Sequence, residues 1–270
     1  AVGEAGEILH YDGSTSSWTR DSSPTSVDLN SVSGIDYADV WAAGALEGTE
    51  GAILHYNGAS WSLESTGVSP PPLVNLHGVM AFSSGGQTNV LAVGAYETVL
   101  NRYWDSGASQ MTWASQLNTP SGPIGDFNAV WKNWDSTAYA VGNDGMIAYY
   151  NNSAWTTMTN IPSGFSSDLY AVWGTGTNNV WAAGQGGALL HYNGSEWTEE
   201  TSNTIFQINA LWGAAANDIW GATSSGSGQQ AEIIHYAGSS WTMEQSGAAV
   251  DYHDLWGAGS DRGFFVGSGG

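Results

Sequence analysis

Hydrophobic positions fall in short runs of five to six residues, rich in β-branched and aromatic side chains and bounded by Gly, Asn, Asp and Ser. Runs this short, punctuated by turn residues, predict β-strands and leave no stretch with the 3.6-residue period of a helix. The runs recur in a fixed order. A unit opens on a first run (A) such as Leu169-Tyr170-Ala171-Val172-Trp173-Gly174. A second (B) follows, as in Val180-Trp181-Ala182-Ala183-Gly184, and a third (C) reads Leu189-Leu190-His191-Tyr192-Asn193-Gly194. A fourth (D) begins at a Trp.

Six copies of the C run stand at residues 8–13, 53–58, 100–103, 148–151, 189–194 and 233–238. The D-run Trp are Trp18, Trp61, Trp113, Trp155, Trp197 and Trp241, spaced by 43, 52, 42, 42 and 44 residues. Four strands per 40–50 residues is the period of a β-propeller blade. The expected fold is all-β, a single propeller domain over residues 1–270 with six four-stranded blades. Five blades are complete in the chain. The sixth takes A and B from residues 252–267 and C and D from residues 7–20, so that the chain ends close the ring and remove open sheet edges. Ala1-Val2-Gly3 is then a surplus fragment of a B run, set aside or belonging to a longer array, and the start at Ala1 within a repeat fits a segment of a longer chain.

The blade text resembles bacterial repeat propellers that read N-D-V-W-A-V-G followed by I-L-H-Y-N-G-S-x-W. Here it stands as Asn179-Val180-Trp181-Ala182-Ala183-Gly184 and Leu190-His191-Tyr192-Asn193-Gly194-Ser195-Glu196-Trp197. Asp12-Gly13-Ser14 leading to Trp18 is similar to the Asp-box turn of sialidase-type propellers, with Asn or Ala replacing the Asp in several copies. The resemblance covers the whole chain and implies a propeller that binds or scaffolds, with the Asp-box itself structural.

Charge narrows the function. Four bases (Arg20, Arg102, Lys132, Arg262) face 25 acids, for a net charge of −21. So few dispersed cations cannot displace phosphate counterions, which excludes nucleic acid, and they disfavour an anionic membrane surface. No run approaches the 18 apolar residues of a membrane span. With no cysteine there is no disulfide framework and no thiolate metal site.

Thirteen of the 15 Trp fall at repeat positions, where packing between neighbouring blades is the expected role. His10, His55, His191 and His235 share the strand-C position, roughly 9–10 Å further from the axis than strand A, so they cannot share one ion and are expected to be structural. His77 and His253 sit on strand A in different blades. The three Arg share no motif, and no paired carboxylates, phosphate loop or Ser/His/Asp signature appears, so no enzyme is expected. No cofactor is expected. Calcium would be the ion suited to the acids of the long loops (Glu47, Glu50, Glu97, Asp144, Glu232), without an EF-hand spacing to hold it.

Trp104 and Trp134 are the two Trp outside repeat positions. Trp104 lies at the C–D turn of the second complete blade and Trp134 in the A–B loop of the third, ends that face the same way in a propeller. Arg102, Asp105, Lys132, Asn133 and Asp135 flank them. Aromatics among mixed charge and amides fit a protein contact or a sugar platform. The expected function is a non-catalytic interaction or scaffold propeller, extracellular or at a bacterial cell surface, binding a protein. The alternative is a glycan-binding lectin, which should repeat one polar-aromatic set in every blade, whereas these loops differ.

Overall fold

A computed structural model describes residues 1–69, 73–116, 125–134, 137–225, 229–244, 250–259 and 262–268. The chain divides into two compact units, Ala1–Val130 and Trp131–Gly270.

Among the described residues seven small sheets are formed. Sheet 1 pairs β1 (Leu9–Asp12) with β2 (Ser17–Arg20). Sheet 2 is β3 (Leu29–Asp36), β4 (Asp39–Glu47), β5 (Glu50–Tyr56) and β6 (Trp61–Leu63). Sheet 3 is β7 (Leu76–Ser84), β8 (Gln87–Gly94), β9 (Thr98–Asp105) and β10 (Gln110–Ser115). Sheet 4, in which the unit boundary falls, is β11 (Phe127–Lys132), β12 (Ala138–Gly142), β13 (Ile147–Tyr150) and β14 (Trp155–Thr157). Sheet 5 is β15 (Leu169–Gly176), β16 (Asn179–Gly184), β17 (Leu189–Tyr192) and β18 (Trp197–Glu199). Sheet 6 is β19 (Ile208–Ala215), β20 (Asp218–Thr223), β21 (Ile233–Tyr236) and β22 (Trp241–Glu244). Sheet 7 pairs β23 (Tyr252–Gly259) with β24 (Arg262–Gly267). Sheets 2–6 are the five complete blades read from the sequence, in A-B-C-D order.

The two remaining pairs are separate two-stranded sheets. Residues 1–3 do not lie aside. Val2 bridges Ile8, and the Ala1 amino group donates to Leu9 O at 2.8 Å while Leu9 N returns a bond to Ala1 O. In sheet 5 the matching rungs join Ala183 to Leu189 and Ala182 to Leu190. Ala1-Val2 is therefore the tail of a B strand laid on β1.

The Gly that ends strand B has a steric cause. A Cβ at Gly184 would lie 1.9 Å from Asp168 O, and one at Gly44 2.2 Å from Asp28 O, because strand A starts against it. The side chain just before strand A reaches back to the preceding sheet. Asp28, Asn75, Asp126, Asp168 and Asp251 accept from the backbone N–H of Ala5, Leu46, Tyr96, Asp144 and Ser225. Buried or turning backbone donors need such acceptors, so these Asp and Asn side chains tie strand A to the loop before it.

Strand-C His and strand-B Trp form one motif. Trp41 and His55 stack at 4.1 Å, Trp181 and His191 at 4.2 Å, and Trp220 and His235 at 3.9 Å. Asp39 Oδ1 accepts from Trp41 Nε1 and His55 Nε2 at 2.8 and 3.0 Å, and Asp218 Oδ1 accepts from Trp220 and His235, both at 2.9 Å. In sheet 5 Asn179 replaces that acid. It takes His191 at 2.7 Å and turns its amide to Thr175, so the buried Trp181 Nε1 has no acceptor. Burial holds the His191 imidazole below its usual pKa.

The same Trp forms the seam to the next sheet. Trp181 meets Tyr236 at 5.1 Å and the edge of Trp241 at 5.5 Å, and Tyr139 meets Tyr192 and the edge of Trp197 at 5.9 and 6.1 Å. In the first unit Trp41 meets the edge of Trp113 at 6.1 Å. Edge-to-face pairs of this kind contribute beyond the area they bury.

Candidate functional site

Arg102 is part of that seam. The ladder pairs Val90 with Arg102 as it pairs Val180 with Tyr192, so Arg102 holds the strand-C Tyr position and Asn101 the His position. Its guanidinium lies 4.7 Å from the Trp41 ring centroid, donates to Thr88 O at 2.9 Å and stands 3.6 Å from Glu64. The cation replaces the Tyr ring over the neighbouring Trp. Asp105 closes a turn by accepting from Gly107 and Ala108 N–H, as Asn57, Asn151 and Asn193 do in other blades. Trp104 lies inside the lengthened β9, opposite Met111, and is 46% exposed.

The other half of the expected surface is in the second unit. Asn133 is buried and its N–H bonds Thr137 O, and Lys132 Nζ donates to Asn133 O. This fixes the start of the A–B turn and holds Trp134 at 100% exposure. Asp135 lies outside the described residues. Tyr37, at the A–B turn of sheet 2, is 90% exposed. Sequence reading passed over it because Tyr in a turn carries no repeat signal.

Two of the five acids suggested for calcium, Glu47 and Glu50, bind within the loops through their carboxylates. Glu50 accepts from the N–H and hydroxyl of Thr66 and from Ser65. Burial pushes its carboxyl up, and these bonds outweigh that to leave it below the usual range. Glu47 accepts from Thr25 Oγ1. Glu97 is buried at φ 57°, and burial pushes its carboxyl up. Glu232 leaves a buried Oε2 without a partner. No group of three or more His, Cys, Asp or Glu fit to hold a metal occurs among the described residues. His77 Nδ1 donates to Phe127 O, and His253 Nε2 pairs with Ser268 Oγ. An open hollow of about 350 Å³ lies at the D–A and B–C loop end of sheet 5, between residues 164–167, residues 185–189 and the carboxylates of Glu199 and Glu200.

No protein-family model matches the chain, and no curated protein matches it. Solved structures do. YCF48 bound to D1 peptide superposes with a TM-score of 0.71 at 17% identity, over 98% of this chain and 84% of that one. YCF48 from Cyanidioschyzon merolae gives 0.69 at 16% identity, over 98% and 87%. U3-55K gives 0.68 at 9% identity, over 96% and 80%. At these identities the likeness concerns the fold alone: an all-β fold of the propeller type. No described helix is long and apolar enough to cross a membrane.

Proposed function

We propose that the chain is a non-catalytic binding propeller that grips a protein partner through the A–B and C–D ends of its sheets. One observation carries the reading. Trp134 is wholly exposed, while Trp41, Trp113, Trp181, Trp197 and Trp241 are buried in the seams between sheets. A bare indole gains much on burial and costs solubility if it stays bare. Trp104 and Tyr37 stand at the corresponding ends of neighbouring sheets in the first unit. That a propeller neighbour was solved bound to a peptide supports a protein partner. A place outside the cell or on its surface, and the lack of a catalytic role, belong to the same proposal. It draws on the shortage of bases and on the absence, among the described residues, of a group of His, Cys, Asp or Glu fit to hold a metal.

The test compares wild type with the Trp104→Ala/Trp134→Ala double variant, both immobilised, for protein retained from an extract of the source organism. A species held by wild type and lost by the variant supports the proposal. Equal retention by both refutes it. Glycan-array binding abolished in the variant, with no protein retained, would favour the lectin instead.

A further inference from the structure

Sheet 3 is complete, lies within residues 76–115 of the first unit, and has an unprotected outer edge. Proteins blunt such edges with short strands, charges, Pro or bulges, because bare N–H and C=O groups invite pairing with another chain. The outer strands of sheets 2, 4, 5 and 6 have three, three, three and four residues. Strand β10 has six, Gln110–Ser115, with no charge and no Pro, and its ladder to β9 runs without a bulge.

The phase of that ladder fixes which groups point outward. Gln116 N donates to Val99 O. The hydrogen-bonded pairs of an antiparallel ladder alternate, so they continue at Ala114 with Asn101, Thr112 with Tyr103 and Gln110 with Asp105. Met111, Trp113 and Ser115 therefore turn their N–H and C=O away from β9, and no other described residue bonds those groups. In sheets 5 and 6 the loop arriving from the preceding sheet covers the strand-D Trp. Asn160 O accepts from Trp197 N at 3.0 Å, and Asn160 Nδ2 donates to Ser195 O. Asn203 Nδ2 donates to Trp241 O at 2.7 Å. Gly67 stands where Asn203 does, six residues past a strand-D Trp and at the same φ of 60°, but has no side chain to reach β10.

We infer that the outer edge of β10 is the pairing site for β10 of a second copy, antiparallel about a two-fold axis at Trp113. In that register Trp113 of one copy exchanges both backbone bonds with Trp113 of the other, and Met111 does so with Ser115. Every outward group is satisfied, as a self-complementary isologous contact requires. Charge selects this occupant. Arg102 and Glu64 pair behind the edge, and the Asp105 carboxylate serves the turn, so a cationic strand finds no free acid there. A second β10 brings no charge of its own to the edge. The net charge of −21 repels the copies only at longer range, where salt screens it. The site is separate from the loop-end surface of the proposed function, since its groups are backbone and Trp104→Ala/Trp134→Ala keeps them.

Sedimentation equilibrium of the full chain is the test. Wild type should dimerise reversibly, and more tightly at about 0.5 M than at about 0.05 M NaCl. Ser115→Pro removes an outward N–H that β9 does not use, a position where an edge strand tolerates Pro. It should weaken dimerisation at least about 10-fold, equal to about 1.4 kcal/mol, with unchanged circular dichroism. A second variant avoids proline. The chain has no cysteine, and the register sets Thr112 of one copy opposite Ala114 of the other at the short Cα spacing that suits a disulfide. With diamide as oxidant, Thr112→Cys/Ala114→Cys should form a covalent dimer in higher yield than either single variant. A wild type that stays monomeric, dimerisation unchanged by Ser115→Pro, or a double-cysteine variant that cross-links no better than the single ones overturns the inference. So does a monomeric wild type that binds a dye-labelled Thr-Val repeat peptide with Lys at both ends and loses it in Ser115→Pro, which would assign the edge to a basic partner.

Discussion

Replacing Trp41 with Ala tests the seam that holds one blade to the next. Trp41 is fully buried, stacked on His55, edge-on to Trp113, under the Arg102 guanidinium and hydrogen-bonded to Asp39. Truncating a buried Trp costs about 3–5 kcal/mol through lost transfer energy and the cavity left behind. The ring pair adds about 0.5–1.5 kcal/mol. The desolvated cation over the ring adds about 1–2 kcal/mol. Relaxation of the long Arg102 side chain recovers part of this, so the expected loss is about 5 kcal/mol. That is a large share of a typical domain stability of about 5–15 kcal/mol. Urea unfolding of the full chain, followed by far-UV circular dichroism, is the assay. Trp134→Ala is the matched control. It removes the same atoms from a fully exposed site and should stay within about 0.5 kcal/mol of wild type. If Trp41→Ala costs less than about 1 kcal/mol, or no more than Trp134→Ala, the seam is not what joins the sheets.

Asn179→Asp supplies the acceptor that Trp181 Nε1 lacks and copies Asp39 and Asp218; it should stabilise by about 1 kcal/mol near pH 6 and raise the His191 pKa, read by NMR titration. In wild type burial lowers the folded pKa of His191, so the unfolded state binds its proton first as pH falls and stability drops below about pH 6.5, the usual His value; His191→Gln should flatten that part of the pH–stability curve. Glu50 has a lowered folded pKa, so its contribution is present above the ordinary Glu range and is lost as pH falls through the folded value; Glu50→Gln should remove that acid-side dependence. Gly184→Ala places a methyl 1.9 Å from Asp168 O and should cost at least about 1–3 kcal/mol by thermal melting.

The repeat was legible because packing enforces it. Strand-B Trp stacks on a strand-C His in sheets 2, 5 and 6, and in sheets 2 and 6 an Asp two residues before the Trp bonds both rings, so the residues recur at a fixed period. Ala1-Val2-Gly3 was legible as a fragment of a B run, but three residues are too few to say whether they lie aside or pair, and the structure shows Val2 bridging Ile8 and Ala1 bonded to Leu9. Arg102 was read as one of the residues flanking Trp104; its place over Trp41 was not legible because sheet 3 departs from the common text, and only the ladder shows it in the Tyr position. Asp105 stood out beside Trp104, yet its carboxylate serves the turn. Trp134 stood out in the sequence because nothing in the repeat uses an indole in the A–B turn, and in the structure it is fully exposed.

The central claim is that the bare aromatics at the loop ends, and not the buried ones, mark where this propeller binds. Retention of a partner by wild type and by Trp104→Ala/Trp134→Ala, with folding of both verified, tests it most directly. The account predicts retention by wild type and loss in the variant at unchanged stability. A variant that keeps the partner at wild-type level would contradict it.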